Sequence, residues 1–268
     1  MFPTIHLLGK EVGVYAIMAL IGALLSGWLV YRQARKRGLD EIEAVVILLI
    51  SSIGVFIGMH LLYALTQLPS LSAILREPPP LTPFGDVVNS FLALLGGSVF
   101  YGGLLGGLTA AVIYMRHKKL RVPDYLDLLT PAIPLFHLFG RVGCFFGGCC
   151  FGIPCPVGFV YTHSPIAAAN GVRRFPVQLL EALVLLVLWR ILLRLYRNGA
   201  FKGRLLYIYL ASYAVCRFGL EFLRGDSYRG IAFGLSTSQY ISIPLLVFSL
   251  YMLLRGKGRK AAVERLGE

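Results

Sequence analysis

The stretch VGVYAIMALIGALLSGWLVY, Val12 to Tyr31, runs for 20 residues without a charged side chain. About 20 apolar residues in a helix cross the hydrocarbon of a bilayer, and lipid offers no partner to the backbone polar groups, so a membrane helix is the fold this stretch dictates. It is too long for a signal-peptide core and no small-residue cleavage site follows it, so it reads as a retained span. Similar runs cover residues 44–66, 88–115, 125–143, 178–196, 204–223 and 239–254. Together they predict an all-α membrane protein with about seven transmembrane helices. The third run is long and glycine-rich, and part of it is expected to be irregular where it lines a protein interior. Composition agrees, with 57% hydrophobic and 15% charged residues and a mean hydropathy of +0.72.

The net charge of +13 does not mark a nucleic-acid binder, because the basic residues fall in short clusters between apolar runs rather than along one soluble face. Topology accounts for them. The connections at 32–37, 116–121 and 194–204 and the tail beyond 254 hold 17 Lys and Arg, against six on the other side: Lys10, Arg76, Arg173, Arg174, Arg224 and Arg229. Cytoplasmic loops carry the excess, which predicts the N-terminus outside and the C-terminus cytoplasmic. The chain then reads as a single polytopic transmembrane domain over 1–268. A short outer-face loop segment at about 144–176 is long enough for a small lid or head.

Three arginines fall inside or at the ends of the apolar runs: Arg141, Arg190 and Arg217. A charge at the bilayer centre costs at least about 2.5–3.5 kcal/mol, so it faces a protein interior and a partner. Arg190 escapes by snorkelling to the cytoplasmic end of its helix. Along the sixth run Tyr213, Arg217, Glu221 and Arg224 recur at spacings of four, four and three, which stacks them on one helix face. In one reading an Arg217–Glu221 pair merely fixes helix packing. In the other, Arg141, Arg217 and Arg224 outnumber Glu221 and invite an anion, with Glu181 offsetting part of the excess. Paired guanidinium donors suit a phosphate, and the phosphates of a membrane are lipid headgroups. Asp124 and Asp127 form a D-x-x-D, read as capping carboxylates at a helix N-terminus rather than as magnesium ligands.

Six ordered motifs resemble the prolipoprotein diacylglyceryl transferases. The segment GRVGCFFGGCCFG keeps Gly140, Arg141, Gly143, Phe145, Gly148 and Gly152 of the family pattern G-R-x-G-N-F-x-N-G-E-x-x-G. Upstream, DLLTPAIP (Asp127 to Pro134) is similar to the family's entry to that helix, and GGSVFYGGLLG to its G-G-x-x-x-H-G-G-x-x-G. FPVQLLEA, CRFGLEFLRGD and LSTSQYISIP match later motifs, and Tyr15 stands where the family has a tyrosine in its first helix. Four positions depart from the family: Tyr101 replaces the histidine of H-G-G, Cys144 and Gly147 replace two asparagines, and Cys149 replaces a glutamate. His60 stands where the family tends to carry an arginine.

The resemblance implies transfer of the diacylglyceryl group of phosphatidylglycerol to the lipobox cysteine thiol of a preprolipoprotein signal peptide, in the inner membrane of a bacterial cell. Its partners are those two substrates and membrane lipid, with no nucleic acid, no cofactor and no metal. Arg141 and Arg217 are then expected at the phosphate, with Glu221 orienting them. Tyr101, a phenol with an ordinary pKa near about 10, is expected to position the thiol rather than deprotonate it. Substrate contacts are expected from Tyr15, His60, Gly143, Gly152, Gln178, Glu181 and Tyr213, with Arg224 at the headgroup mouth. Gly102 and Gly103 either let lipid approach closely or pack one helix on another. His137 reads as an alternative base or as a packing residue.

Cys144, Cys149, Cys150 and Cys155 have three open explanations. They are small buried replacements for polar residues, or they form disulfides that brace the loop, or they do metal or redox chemistry. Cys216 reads as packing. Two functional alternatives accompany the transferase: a divergent paralogue that uses another acceptor or only binds lipid, and a thiol-redox or metal protein built on the cysteines.

Overall fold

The computed structural model describes residues 3–7, 9–66, 99–226, 231–232 and 234–266. A hairpin of β1 (Thr4–Leu7) and β2 (Lys10–Gly13), paired from Thr4–Gly13 to Leu7–Lys10, leads straight into α1 (Val14–Lys36). Val12 and Gly13 are thus taken by the strand, and the helix starts at Val14, two residues into the apolar run. It continues past Tyr31 because Gln33, Ala34, Arg35 and Lys36 favour helix and the two cations suit its negative end. α2 (Glu41–Thr66) is capped by Asp40, whose Oδ1 accepts from the N–H groups of Ile42 and Glu43 at 2.9 Å each.

α3 (Phe100–His117) holds the described part of the third run; residues 88–98 lie outside the described residues, as do Arg76 and Arg229. The fourth run is broken into α4 (Val122–Leu129) and α5 (Ala132–Gly147), since Pro131 lacks the N–H that would continue the ladder. Then come β3 (Pro154–Val160), a 3-10 turn (Ala167–Ala169), β4 (Arg173–Arg174), α6 (Val177–Arg197), α7 (Leu205–Glu221), β5 (Ile231–Ala232), β6 (Leu235–Ser236) and α8 (Thr237–Leu266).

The protein is mostly helical, and four stretches are long and apolar enough to cross a membrane: Val14–Lys36, Glu41–Leu65, Val122–Gly147 and Thr237–Arg255. Outward-facing Leu20, Leu24 and Trp28 on α1 and Leu49, Ile53 and Phe56 on α2 are all more than half exposed. An apolar surface of that extent is one that lipid covers.

Cα distances divide the chain into two compact units, one of Met1–Arg37 with Pro123–Glu268 and one of Gly38–Val122. In the first, α5 packs between α1 and α6, and α7 between α6 and α8. Leu29, Leu135 and Leu193 form a core cluster there with Phe139 and Trp189. Helix ends are closed by side chains from elsewhere. Arg37 donates to the carbonyls of Tyr196 (2.5 Å) and Arg197 (2.7 Å) at the end of α6. The Asp127 carboxylate accepts from the N–H groups of Gly203 and Leu205 at the start of α7. Asp127 therefore caps a helix, though not its own, and both its oxygens are spent on backbone.

In the second unit α2 lies on α3 along a glycine seam. Gly54 and Gly58 of one helix face Gly102 and Gly106 of the other, so that a methyl on Gly58 would collide with the Gly102 carbonyl oxygen. Gly103 faces Val55, whose Cγ1 would lie 3.1 Å from an added Cβ. The absent side chains of Gly102 and Gly103 thus admit α2, the small-residue packing of membrane helices. Gly58→Val should lower the thermal stability of detergent-purified protein by about 1–3 kcal/mol or more, as overpacking against immovable backbone does. Gly27→Ala, with nothing within 4 Å of the new Cβ, should leave it within about 0.5 kcal/mol in the same melting assay.

Candidate active site

Glu181 enters near the start of α6, one turn after Gln178, on the face turned toward α5 and α7. It is 1% exposed. Arg141 from α5 brings Nε to 3.0 Å from Glu181 Oε2, and Arg217 from α7 brings Nη1 to 3.8 Å from the same oxygen. On Oε1 the Tyr213 hydroxyl donates at 3.0 Å and His137 Nε2 stands 3.9 Å away. Three helices thus converge on one carboxylate. Arg217 also pairs through Nη2 with Glu221 at 2.7 Å, and the same nitrogen donates to Ser238 Oγ in the first turn of α8 at 3.0 Å. Aromatic rings wall the cluster: His137 meets Tyr213 edge-on, and Tyr209 stacks on Tyr213 at 5.9 Å.

Geometry leaves capacity in this network. Arg141 Nε, Arg217 Nη1, Glu181 Oε2 and Glu221 Oε2 are buried with no aligned hydrogen bond among the described residues. Their contacts are ion pairs, close in distance but off the direction of a hydrogen bond. Buried polar atoms are nearly always bonded, so a cluster of exceptions is a place where a further partner could be accommodated.

Below the end of α5 the chain turns through Gly148 at φ +70° and Cys150 at φ +57°. Ser164 Oγ donates to the Gly148 carbonyl at 2.8 Å, and Gln178 Nε2 donates to the Cys149 carbonyl at 2.7 Å and to the Tyr161 hydroxyl at 2.9 Å. The thiols of Cys144, Cys149 and Cys150 all lie within 4.8 Å of one another. None of the five cysteines is in a disulfide, so of the three open explanations the bracing bridges are not formed here. For Cys150, hydrogen bonds from Cys144 and Cys149 together with the charges of Arg224 and Arg141 outweigh burial and lower the pKa.

The loop beyond is a small folded piece of its own. Arg174 lies over the Phe151 ring at 4.3 Å and donates to the carbonyls of Gly152 (3.2 Å) and Ala168 (2.6 Å), while Phe151, Tyr161 and Ala169 form its core. Gly152 is wedged against the Phe175 and Leu223 carbonyls and bridges to Arg224. That joint ties the loop to the segment after α7.

Comparison with known proteins places the chain in a family. A family model described as prolipoprotein diacylglyceryl transferase matches residues 3–255. The chain belongs to the prolipoprotein diacylglyceryl transferase family. It is similar to a Clostridium tetani protein named phosphatidylglycerol–prolipoprotein diacylglyceryl transferase, 32% identical over 95% of this chain and 97% of that one. A Geobacter sulfurreducens protein of the same name is 32% identical over 92% of this chain and 91% of its own. A second such transferase from Clostridium perfringens is 29% identical over 97% and 98%.

Against the family's motifs, the structure brings together Arg141, Glu181, Tyr213, Arg217 and Glu221, with Gln178 and the thiols next to them. Tyr15 packs on Gly143, where an added Cβ would stand 3.0 Å from its ring. Tyr101, Gly102, Gly103 and His60 belong to the other compact unit. There Tyr101 sits in the first turn of α3 and His60 rests edge-on against Phe56 at 4.6 Å.

Three expectations need correction. Among the described residues Glu221 pairs with Arg217 and with no other arginine, and Glu181 is the carboxylate that holds both Arg141 and Arg217. Arg224 does not continue the α7 face, because the helix ends at Glu221; it forms a bidentate pair with Asp226 at 2.6 and 2.9 Å. Burial works against its charge, yet the Asp226 hydrogen bonds and the charge of Cys150 raise its pKa above the ordinary arginine value. Finally, the three arginines face three carboxylates, Glu181, Glu221 and Asp226, so the positive excess inferred from one helix face is absent. Sequence reasoning missed Asp226 and Ser238, although both fall within the quoted family motifs.

Glu181→Gln strands the buried Arg141 guanidinium, leaves Arg217 to Glu221 and Ser238, and should cost about 3–5 kcal/mol in unfolding of the detergent-solubilised protein. Tyr213→Phe removes one donor to that carboxylate and should cost less, about 1.5–3 kcal/mol.

Proposed function

We propose that this protein transfers the diacylglyceryl group of phosphatidylglycerol to the lipobox cysteine thiol of a preprolipoprotein, as a seven-span, single-domain protein of the bacterial inner membrane. The basic connections give it an outside N-terminus and a cytoplasmic C-terminus. Family membership and the names of its relatives support the reaction. The observation that carries the site is the meeting of Arg141 and Arg217 on Glu181 with hydrogen bonds left unmade.

The chemistry asks for a thiolate to attack the glycerol carbon next to the phosphate while glycerol phosphate departs with the electron pair of the broken C–O bond. The substrate supplies the nucleophile, so the protein must stabilise the charge that grows on the leaving phosphate and align two lipid-borne reactants. Glu181 meets Arg141 at Nε, on the flank of the guanidinium, and in this reading the Nη fork is the part that receives the phosphate. Arg217, fixed by Glu221 and Ser238, supports the second side of that headgroup. Tyr213 and Gln178 hold Glu181 and the loop backbone in place. Tyr15, on Gly143, flanks the same helix, and Arg224 with Gly152 fastens the loop at the headgroup mouth. Within the α2–α3 pair taken by itself, Tyr101 and His60 are the candidate contacts to substrate, while Gly102 and Gly103 are taken up by the packing of α2.

The test is transfer from phosphatidylglycerol vesicles to a reporter lipobox peptide, read by mass spectrometry. Arg141→Ala and Arg217→Ala should each lower the rate by at least about 10²–10³-fold, the loss expected when a donor to developing charge is removed. Arg141→Lys keeps the charge without the fork and should recover part of it. Unchanged rates in both alanine variants would overturn the reading.

A further inference from the structure

We propose that Cys144, Cys149 and Cys150 form a three-thiolate site for a zinc-class divalent cation, whose fourth position takes the thiol of the acceptor peptide. The proposal rests on the transferase reading for the identity of that thiol, and on this chain's own geometry for the site.

Zinc–sulfur bonds of about 2.3 Å at tetrahedral angles put ligand sulfurs about 3.8 Å apart. The three thiols already lie within 4.8 Å of one another, so small side-chain rotations close the distance. Thiolate sets select zinc or copper(I) over magnesium, calcium or manganese, and three protein ligands with an open fourth position are the pattern of a working zinc rather than a structural one.

The backbone is built to hold this arrangement. Adjacent cysteines on regular backbone diverge, and Cys150 overcomes this with a left-handed conformation, φ +57°, that a side-chain-bearing residue rarely adopts. Gly148, also left-handed, ends α5 and lets the Cys149 N–H bond back to the Cys144 carbonyl at 3.1 Å. Ser164 and Gln178 then clamp the carbonyls of Gly148 and Cys149. A ligand frame held on its outer side in this way is what metal sites require. Arg141 lies one turn before Cys144 on the same helix, and the charge of Arg224 also acts on Cys150, so cations flank a site whose thiolates outnumber the metal's charge.

The site answers a chemical need. Where the family has the histidine of its H-G-G motif this chain has Tyr101, a poor base at neutral pH. A thiol that coordinates zinc is deprotonated by the metal. Its proton passes to water, and the zinc-bound sulfur attacks the glycerol carbon. The C–O bond breaks, its electron pair leaves on glycerol phosphate beside Arg141, and the thioether product, neutral and a weaker ligand, vacates the fourth position. No electron is exchanged with the metal.

The experiment uses full-length protein in mild detergent, kept reduced and stripped with chelator, then titrated with Zn²⁺ or Co²⁺. Stoichiometric zinc should be retained, and Co²⁺ should give a thiolate charge-transfer band that shifts on adding the lipobox peptide and stays put with its Cys→Ser version. Cys149→Ser should lose the metal; Cys155→Ser, outside the cluster, should keep it and keep activity. Metal removal should slow transfer by about 10²–10⁴-fold, the range that loss of a general base commands. No metal retained, a cobalt band blind to the peptide thiol, or a native disulfide among the three cysteines would overturn the site. Undiminished transfer by the metal-free protein would overturn its role and leave the transferase standing. A peptide-dependent cobalt shift with no transfer at all would uphold the site and bring down the transferase reading instead.

Discussion

One carboxylate organises the larger unit. Glu181 holds Arg141 of α5 and Arg217 of α7 from its place on α6, and takes the Tyr213 hydroxyl on its other oxygen. Each of these charges alone would be expensive in a membrane interior. Assembled, they are tolerable only together, so the three helices are bound into one arrangement by the penalty for leaving it. The same arithmetic explains the unmade hydrogen bonds. A fully satisfied network would be more rigid, whereas this one leaves guanidinium and carboxylate atoms without aligned bonds inside a packed wall of tyrosine and histidine rings.

The loop after α5 depends on the same economy of cations. Arg174 sits among the loop's own carbonyls and on Phe151, 8% exposed, and so acts as an internal clasp. Arg173, its neighbour, stays at the surface. Two adjacent arginines of identical type therefore serve different ends, one shaping the loop and one contributing only charge. Arg224, also a positive count in the sequence, is matched by Asp226.

What could be read from the sequence follows from the range of each signal. Apolar runs announce helices, and α2, α6 and α7 fall where residues 44–66, 178–196 and 204–223 placed them, to within a few positions. Helix periodicity reports neighbours on one helix, which is why Arg217–Glu221 was visible. It is silent on partners across helices, which is why Glu181 looked like a minor counter-ion and Ser238 was passed over. Nothing in the spacing of Arg224 shows that α7 stops at Glu221. The cysteines were ambiguous for a related reason: C-x4-C-C reads as poor ligand spacing on regular backbone, and only the positive φ of Cys150 turns adjacent thiols toward one another.

The cap that Asp127 lends to α7 has a bearing on how the chain is made. A helix whose own first residue gives it no side-chain cap borrows one from a segment 76 positions earlier. Because synthesis proceeds from the N-terminus, α4 has already left the ribosome when α7 follows. The carboxylate is therefore already synthesised when Gly203 and Leu205 emerge, so this cap needs no residue made later in the chain.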